Sequence, residues 1–313
     1  MQRRLPVRRA VIVVAAVVIG AAVGLAVDIG RVGGLDAWLT ARGPTVIPTF
    51  DVPAYDARGR LVDLDGRSMY LDCRGAGSPT VILETGFGGG ADGWGYILDG
   101  VAAFTRVCAW DRPGIGRSAA RGLHSGGEAE ADLRAALEKA GEQGPFIVVA
   151  HSLGGVYARL FAATGPPNGR TATEHDAVLA FVMLDTYEPD LGVADDPALS
   201  PETRAMVRQS LVDGGAMFRA GEELDWPATL AELRPLNPTE LPAVLLMADP
   251  SQHYGGHEPA VTEALIAAWY RAIPVRYPNG TLEIVPTGHF VQLERPDLVI
   301  ERVRQLVAER RAA

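Results

Sequence analysis

Several things are missing from this sequence, and each absence removes a class of reading. No internal repeat of solenoid period occurs, and no low-complexity tract, so stacked-repeat and compositionally disordered architectures drop out. Cysteine is scarce: Cys73 and Cys108 are the only two in 313 residues, so no more than one intramolecular disulfide can form. No Cys/His/Asp spacing of the kind that holds a metal is present, and no G-x-G-x-x-G follows a strand-like run. Neither a metal nor an organic cofactor is implied. Lysine and arginine form no internal cluster, and the net charge is -9. Phosphate binding needs a concentrated positive face, so nucleic acid is excluded as a partner. The acidic surface simply favours solubility.

The chain is 48% hydrophobic and 21% charged, which is enough apolar material for a large core. Its N-terminus stands apart. Arg3, Arg4, Arg8 and Arg9 precede an uncharged run over 10–27, AVIVVAAVVIGAAVGLAV. At about 1.5 Å per residue that run is just long enough to cross the hydrocarbon core as a helix. Arginines held on the cytoplasmic side would send the rest of the chain outward. A cleaved signal peptide is the alternative, and would make the protein secreted. Its apolar region is ordinarily shorter, however, and no clean small-x-small cleavage site follows Val27. Gly20 and Gly24 form a GxxxG, which in so small-residue-rich a helix says little about dimerisation. Residues 1–29 therefore read as basic N-terminus and anchor, and 30–55, rich in Gly and Pro, as a linker.

From 56 to 313 the pattern is that of one α/β domain. An Asp65-Gly66 pair between two strand-like runs predicts an opening antiparallel hairpin. Strands follow near 80–85, 106–111, 146–150, 177–185, 243–249 and 281–285. Helical spacing lies near 93–104, 128–140, 153–163, 259–272 and 291–311. Runs such as AFVML and AVLLM are continuously apolar, as buried parallel strands are. Strand–helix alternation of this kind predicts a mostly parallel sheet with helices on both faces. The stretch 187–241 breaks the rhythm with helical, Met- and aromatic-bearing segments between the sixth and seventh strands. It reads as a lid over the strand ends.

One short stretch carries chemistry. In FIVVAHSLGGVYARLFAA (146–163) a buried strand stops at Ala150-His151-Ser152 and a helix begins at once. Ligand crevices of open parallel sheets lie at the carboxyl ends of the strands, and Ser152 sits at such an end, flanked by Ala150, Gly154 and Gly155. An ordinary helix N-cap would also explain a lone serine here. Three further segments occur in order around it: VILETGFGGGADGW after the third strand, CAWDRPGIGRS at the fourth, and PTGHFVQLERPDLV after the last.

Together these resemble the α/β-hydrolase family of serine esterases and lipases, over about 61–307. The serine turn matches the family's G-x-S-x-G elbow, with Ala150 in place of the first glycine. The resemblance implies Ser152 as nucleophile and His289 as its base, with backbone N–H groups of Phe87 and Leu153 as the oxyanion hole. His124, His151, His175, His253 and His257 lack the setting of His289, and His151 is expected to point away from Ser152. Asp111 and Arg112 read as loop braces. Two aspartates fit the family's chain order for the acid: Asp185 after the sixth strand and Asp249 after the seventh. Asp185 is slightly favoured, because LDTYEP resembles a lipase-type acid turn. A serine at the nucleophile position disfavours the epoxide and carbon–halogen chemistry that an aspartate there would perform.

In this fold the second and fourth strands are neighbours and carry Cys73 and Cys108. A disulfide, in an oxidising exterior, and two buried thiols both fit. The expected function is a membrane-anchored, single-pass serine hydrolase with its catalytic domain on the extracytoplasmic side. It would cleave a small-molecule carboxylic ester through an acyl-enzyme, and an apolar acyl part would suit the anchor and lid. An acyltransferase with the same triad, and a non-catalytic binding protein of the same fold, are the alternatives.

Overall fold

The computed structural model describes residues 55–169, 171–189, 191–236, 239–249 and 259–312. The apolar run 10–27 and the linker up to residue 54 lie outside them, as do His253 and His257. Among the described residues no helix is long and apolar enough to cross a membrane.

The first described elements are β1 (Arg60–Leu64) and β2 (Arg67–Arg74), paired antiparallel. Between them Asp65 and Gly66 both take positive φ, 55° and 98°, the primed-turn geometry that the dipeptide favours. Then come β3 (Thr80–Glu84), a 3-10 turn (Ala91–Trp94), the short α1 (Leu98–Ala102) and β4 (Val107–Trp110). They are followed by α2 (Gly126–Ala140), β5 (Phe146–His151), α3 (Gly154–Ala163) and β6 (Val178–Leu184). Two helices, α4 (Pro201–Glu222) and α5 (Trp226–Leu233), precede β7 (Ala243–Ala248). The remainder is α6 (Pro259–Arg276), β8 (Gly280–Val285), α7 (Val291–Glu294) and α8 (Pro296–Ala312).

Among the described residues eight strands form one sheet in the order β1-β2-β4-β3-β5-β6-β7-β8. The pairs from β4 to β8 are all parallel, and only β1–β2 and β2–β4 run antiparallel. Side chains on a strand alternate between faces, and two cores result. One holds Ile82, Val148, Phe181, Met183 and Leu245 against Leu133 and Leu137 of α2 and Phe161 of α3. The other holds Val81, Leu83, Val149, Val182 and Leu246 against Leu98 of α1 and Val299, Val303 and Val307 of α8. Each such side chain, fully buried, contributes about 1.5–3 kcal/mol relative to exposure. Cys73 and Cys108 face each other across the β2–β4 pair and are joined as a disulfide, so the pairing left open by the sequence is made.

Two expected helices differ. The 93–104 region is a 3-10 turn followed by one short helix. The C-terminal helix breaks at Arg295, whose successor is Pro296; a residue before proline is pushed out of the helical region.

The segment between β6 and β7 is helical, as its spacing predicts, and is docked on the N-terminal end of α2. Gly126 N–H donates to Thr229 Oγ1 at 2.9 Å, Gly127 N–H to Glu232 Oε2 at 2.9 Å, and Ser125 Oγ to Glu232 Oε1 at 2.6 Å. The Ser125–Glu128 capping box already starts α2, so α5 engages the helix end that still has N–H groups to offer. Phe218 and Trp226 are buried, as their bulk demands.

Candidate active site

Chain order reverses around β3, which has β4 on one side and β5 on the other. A crevice opens beyond the carboxyl ends of strands at such a reversal, and Ser152 lies there. Its φ is +53°, a left-handed conformation that costs a non-glycine residue about 1–2 kcal/mol. Hydrogen bonds hold the bend. Ser152 N–H donates to Leu184 O at 3.2 Å, and Ser152 C=O accepts from Gly155 N–H at 3.0 Å and Tyr187 N–H at 2.8 Å. The small neighbours have a reason. A Cβ on Gly154 would collide with the Glu84 carbonyl oxygen, and one on Gly155 would stand 2.6 Å from Thr186 Cβ. Helix α3 can start this close to β3 and β6 only without side chains there.

The loop after β3 passes beside the bend. A Cβ placed on Gly86 would lie 3.1 Å from Ser152 Cβ, so the backbone of Gly86, just before Phe87, borders the serine side chain. Leu153, the residue after the bend, is buried at the start of α3. The Phe87 ring packs on Gly221 and on Phe218, with 5.4 Å between ring centroids. Tyr187 and Trp226 complete an aromatic cluster beside Leu153.

His289 Nδ1 lies 2.7 Å from Asp185 Oδ2. A carboxylate can only accept, so Nδ1 carries the proton and Nε2 is the basic nitrogen of the neutral ring. Asp185 is itself fixed: its N–H donates to Leu246 O at 2.9 Å, and its Oδ1 accepts from Ala248 N–H at 3.1 Å. Burial disfavours the imidazolium and lowers the His289 pKa from 6.5 to about 4.

His151, immediately before Ser152, is no bystander. Its Nε2 lies 2.9 Å from His289 O, and the two rings stand 4.5 Å apart between centroids. The expectation that it merely points away from the serine missed this contact with the second histidine. Ser152 is thus tied to both halves of the pair: through His151 to His289, and through Leu184 O to the residue before Asp185.

The other candidates fall elsewhere. Asp249 N–H donates to Thr287 O at 3.1 Å, which pins the histidine loop to the end of β7. Burial first, and then the nearby carboxylates of Asp185 and Asp249, raise the pKa of Tyr270, so both acids border one region. The carboxylate that holds the His289 imidazole is that of Asp185. His124 Nδ1 is 2.6 Å from Gly122 O, near α2. His175 precedes β6, at the opposite end of the sheet from Ser152.

Asp111 and Arg112 brace loops, in keeping with the sequence. Asp111 accepts from Ala91 N–H at 2.7 Å and Arg117 N–H at 2.8 Å. Arg112 donates to the carbonyls of Thr85 and Gly86 and pairs with Glu222 of α4. Nothing in the local sequence of Glu222 marks it, since Arg112 lies 110 residues away.

The same architecture recurs in known proteins. An esterase from Thermogutta terrifontis superposes with a TM-score of 0.53 at 18% identity, covering 81% of this chain and 99% of that one. The epoxide hydrolase CorEH gives 0.52 at 19% identity, covering 80% and 98%. At such identities the likeness is one of fold. The Bacillus subtilis protein YqjL is 25% identical over 155 residues, 48% of this chain and 56% of that protein. The chain spans between 11% and 56% of the length of the curated relatives it matches. The family model described as "Alpha/beta hydrolase family" matches residues 81–302, which run from β3 into α8 and take in the elbow, the Asp185–His289 pair and the inserted helices. The chain belongs to the alpha/beta hydrolase family of enzymes.

Proposed function

We propose that this protein is a serine hydrolase that cleaves carboxylic esters through an acyl-enzyme. The observation that carries the reading is the His289–Asp185 hydrogen bond of 2.7 Å, which places the proton on Nδ1 and makes Nε2 the basic nitrogen of the neutral ring. A serine hydroxyl is a weak nucleophile until an imidazole takes its proton. Ser152 Oγ attacks the ester carbonyl as its proton passes to Nε2, and the Asp185 carboxylate stabilises the imidazolium. Negative charge on the carbonyl oxygen is met by the N–H groups of Phe87 and Leu153, each worth about 2.7–4 kcal/mol in comparable sites. The tetrahedral species collapses, and the alcohol leaves with the proton from Nε2. Water, deprotonated by the same nitrogen, then releases the acid and restores Ser152.

The fold alone does not choose this chemistry, since an esterase and an epoxide hydrolase superpose on it equally well. The choice rests on the hydroxyl at residue 152. Phe87, Tyr187, Phe218 and Trp226, clustered beside Leu153, support a substrate with an apolar acyl part, and α4 and α5 act as its lid. The apolar run 10–27 serves as a single membrane anchor, with residues 56–313 as the catalytic domain on the extracytoplasmic side. The Cys73–Cys108 disulfide favours that oxidising location. A fluorophosphonate probe is expected to label the wild type and spare Ser152→Ala; labelling of both proteins, or of neither, overturns the reading.

A further inference from the structure

We propose that Glu222, in the last turn of α4, is a positioning residue that aims the Phe87 N–H at the reacting carbonyl and so makes the oxyanion hole depend on the docked lid. This rests on the hydrolase reading above.

The Gly86–Phe87 peptide is trans, since the cis bonds of the described residues are Ser78–Pro79 and Gly144–Pro145. In a planar trans unit the C=O and the N–H point in opposite directions. Whatever grips the Gly86 carbonyl therefore sets the direction of the Phe87 N–H. Arg112 Nη2 donates to Gly86 O at 2.6 Å, and Gly89 N–H adds a weaker contact at 3.2 Å. Arg112 is in turn held by Glu222 at both oxygens, Nη2 to Oε1 at 2.8 Å and Nε to Oε2 at 3.0 Å.

The peptide on the other side of Phe87 is held by the same carboxylate. Gly88 N–H donates to Glu222 Oε1 at 2.6 Å. Glu222 thus grips one flanking peptide directly and the other through Arg112. Tyr157 closes the set: its hydroxyl donates to Glu222 Oε2 at 3.2 Å, and its ring lies 4.5 Å from the Arg112 guanidinium. Arg112, Glu222 and Tyr157 are all buried. Buried charges with bidentate geometry hold direction well, because any rotation leaves a charge unpaired. One turn of α4 also supports the side chain, since the Phe87 ring rests on Gly221. The last turn of the lid helix therefore touches the loop through both backbone and ring.

The test compares full-length wild type with Glu222→Gln and Glu222→Asp on a p-nitrophenyl ester and on a trifluoromethyl ketone, whose adduct oxygen occupies the oxyanion position. Loss of a whole oxyanion donor costs on the order of 10²–10³ in kcat, so a misaimed one is expected to cost about 10- to 100-fold. KM should move little. Affinity for the ketone should fall by the same factor as kcat, and the acid limb of the pH profile, set by His289, should stay in place. A merely structural role would lower the active fraction without weakening the ketone affinity of the molecules that remain folded. Glu222→Asp keeps the charge opposite Arg112 and shortens the reach to Gly88, so it serves should Glu222→Gln not fold. Wild-type kcat and ketone affinity in either folded variant overturns the positioning role alone. A wild type without Ser152-dependent turnover overturns the hydrolase reading, and this proposal with it.

Discussion

Asp185 and His289 are 104 positions apart in the chain, yet Oδ2 of one lies 2.7 Å from Nδ1 of the other. Asp185 takes φ of +42° to make that contact, and strain of this kind collects where geometry serves function. Asp249, at the end of the next strand, contributes its backbone N–H to the loop that carries His289. Asp185→Asn is therefore expected to lose most turnover, roughly the 10⁴-fold drop in kcat that follows loss of the carboxylate from such a triad. Asp249→Asn should retain turnover within an order of magnitude. Steady-state kinetics on both variants decides the matter, and the reverse ranking would move the role to Asp249.

The acid side of the pH–rate profile should be displaced. His289 must be neutral to accept a proton, and burial lowers its pKa to about 4. Turnover then falls only as pH drops through that value, where an ordinary imidazole would begin to fail near 6.5. kcat/KM measured from pH 3.5 to 8 should stay level down to about pH 5. An inflection at 6.5 or above would contradict the buried, neutral imidazole.

Much of this architecture could be read from the residues alone, and the limits have physical causes. The opening turn was legible because Asp65-Gly66 is chemically suited to positive φ. The strands were legible because burial on both faces leaves continuous apolar runs. Ser152 stood out because only small residues let a helix start so close to its neighbouring strands. The acid was harder to assign, since Asp185 and Asp249 end adjacent parallel strands at the same edge, and sequence order cannot say which carboxylate meets the imidazole. The His151–His289 and Arg112–Glu222 contacts were illegible, because each joins residues more than 100 positions apart. The break at Arg295–Pro296 has its signal in the proline, which the helical spacing over 291–311 does not register.

Glu84 and Glu130 should make stability depend on alkaline pH. Glu84 ends β3 fully buried, and burial pushes its pKa up to about 8 against the pull of the Arg112 charge. Burial likewise raises Glu130 well above its ordinary value, aided by the charge of Glu84. Both oxygens of Glu130 and one of Glu84 are buried without a hydrogen-bond partner. In the unfolded chain a glutamate ionises near 4.5, so the stability these groups lend is complete below that pH and drains away as pH rises through the folded values. Linkage sets the slope, up to about 1.4 kcal/mol per pH unit for each group. Urea unfolding at pH 6 and pH 9 should show wild type losing more stability over that interval than Glu84→Gln or Glu130→Gln. Parallel losses in all three would refute the ionisation argument.

The disulfide gives a prediction outside the site. Cys73 and Cys108 are 35 residues apart in sequence, and a cross-link closing such a loop stabilises by about 2–4 kcal/mol. Intact protein prepared under oxidising conditions should gain the mass of two hydrogens on reduction. The Cys73→Ser/Cys108→Ser double variant should unfold at lower urea with its elbow chemistry intact. A protein whose mass and urea midpoint do not respond to reductant would show two free thiols instead.

The bend at Ser152 should be worth more to turnover than to stability. Holding a serine at φ +53° costs about 1–2 kcal/mol, while glycine would take that conformation freely at an entropic cost of about 0.5–1 kcal/mol. Ser152→Gly is thus expected to be more stable than wild type by about 0.5–1 kcal/mol, and to be inactive. Ser152→Ala keeps the Cβ and with it the strain, so it should be inactive without that gain. Gly154→Ala runs the other way: its Cβ would collide with the Glu84 carbonyl, a backbone atom with nowhere to go, at a cost of about 1–3 kcal/mol. Urea midpoints in the order Ser152→Gly, then wild type level with Ser152→Ala, then Gly154→Ala would mark the bend as strain retained for the hydroxyl it presents. A Ser152→Gly variant less stable than Ser152→Ala would mean that the serine is comfortable where it stands.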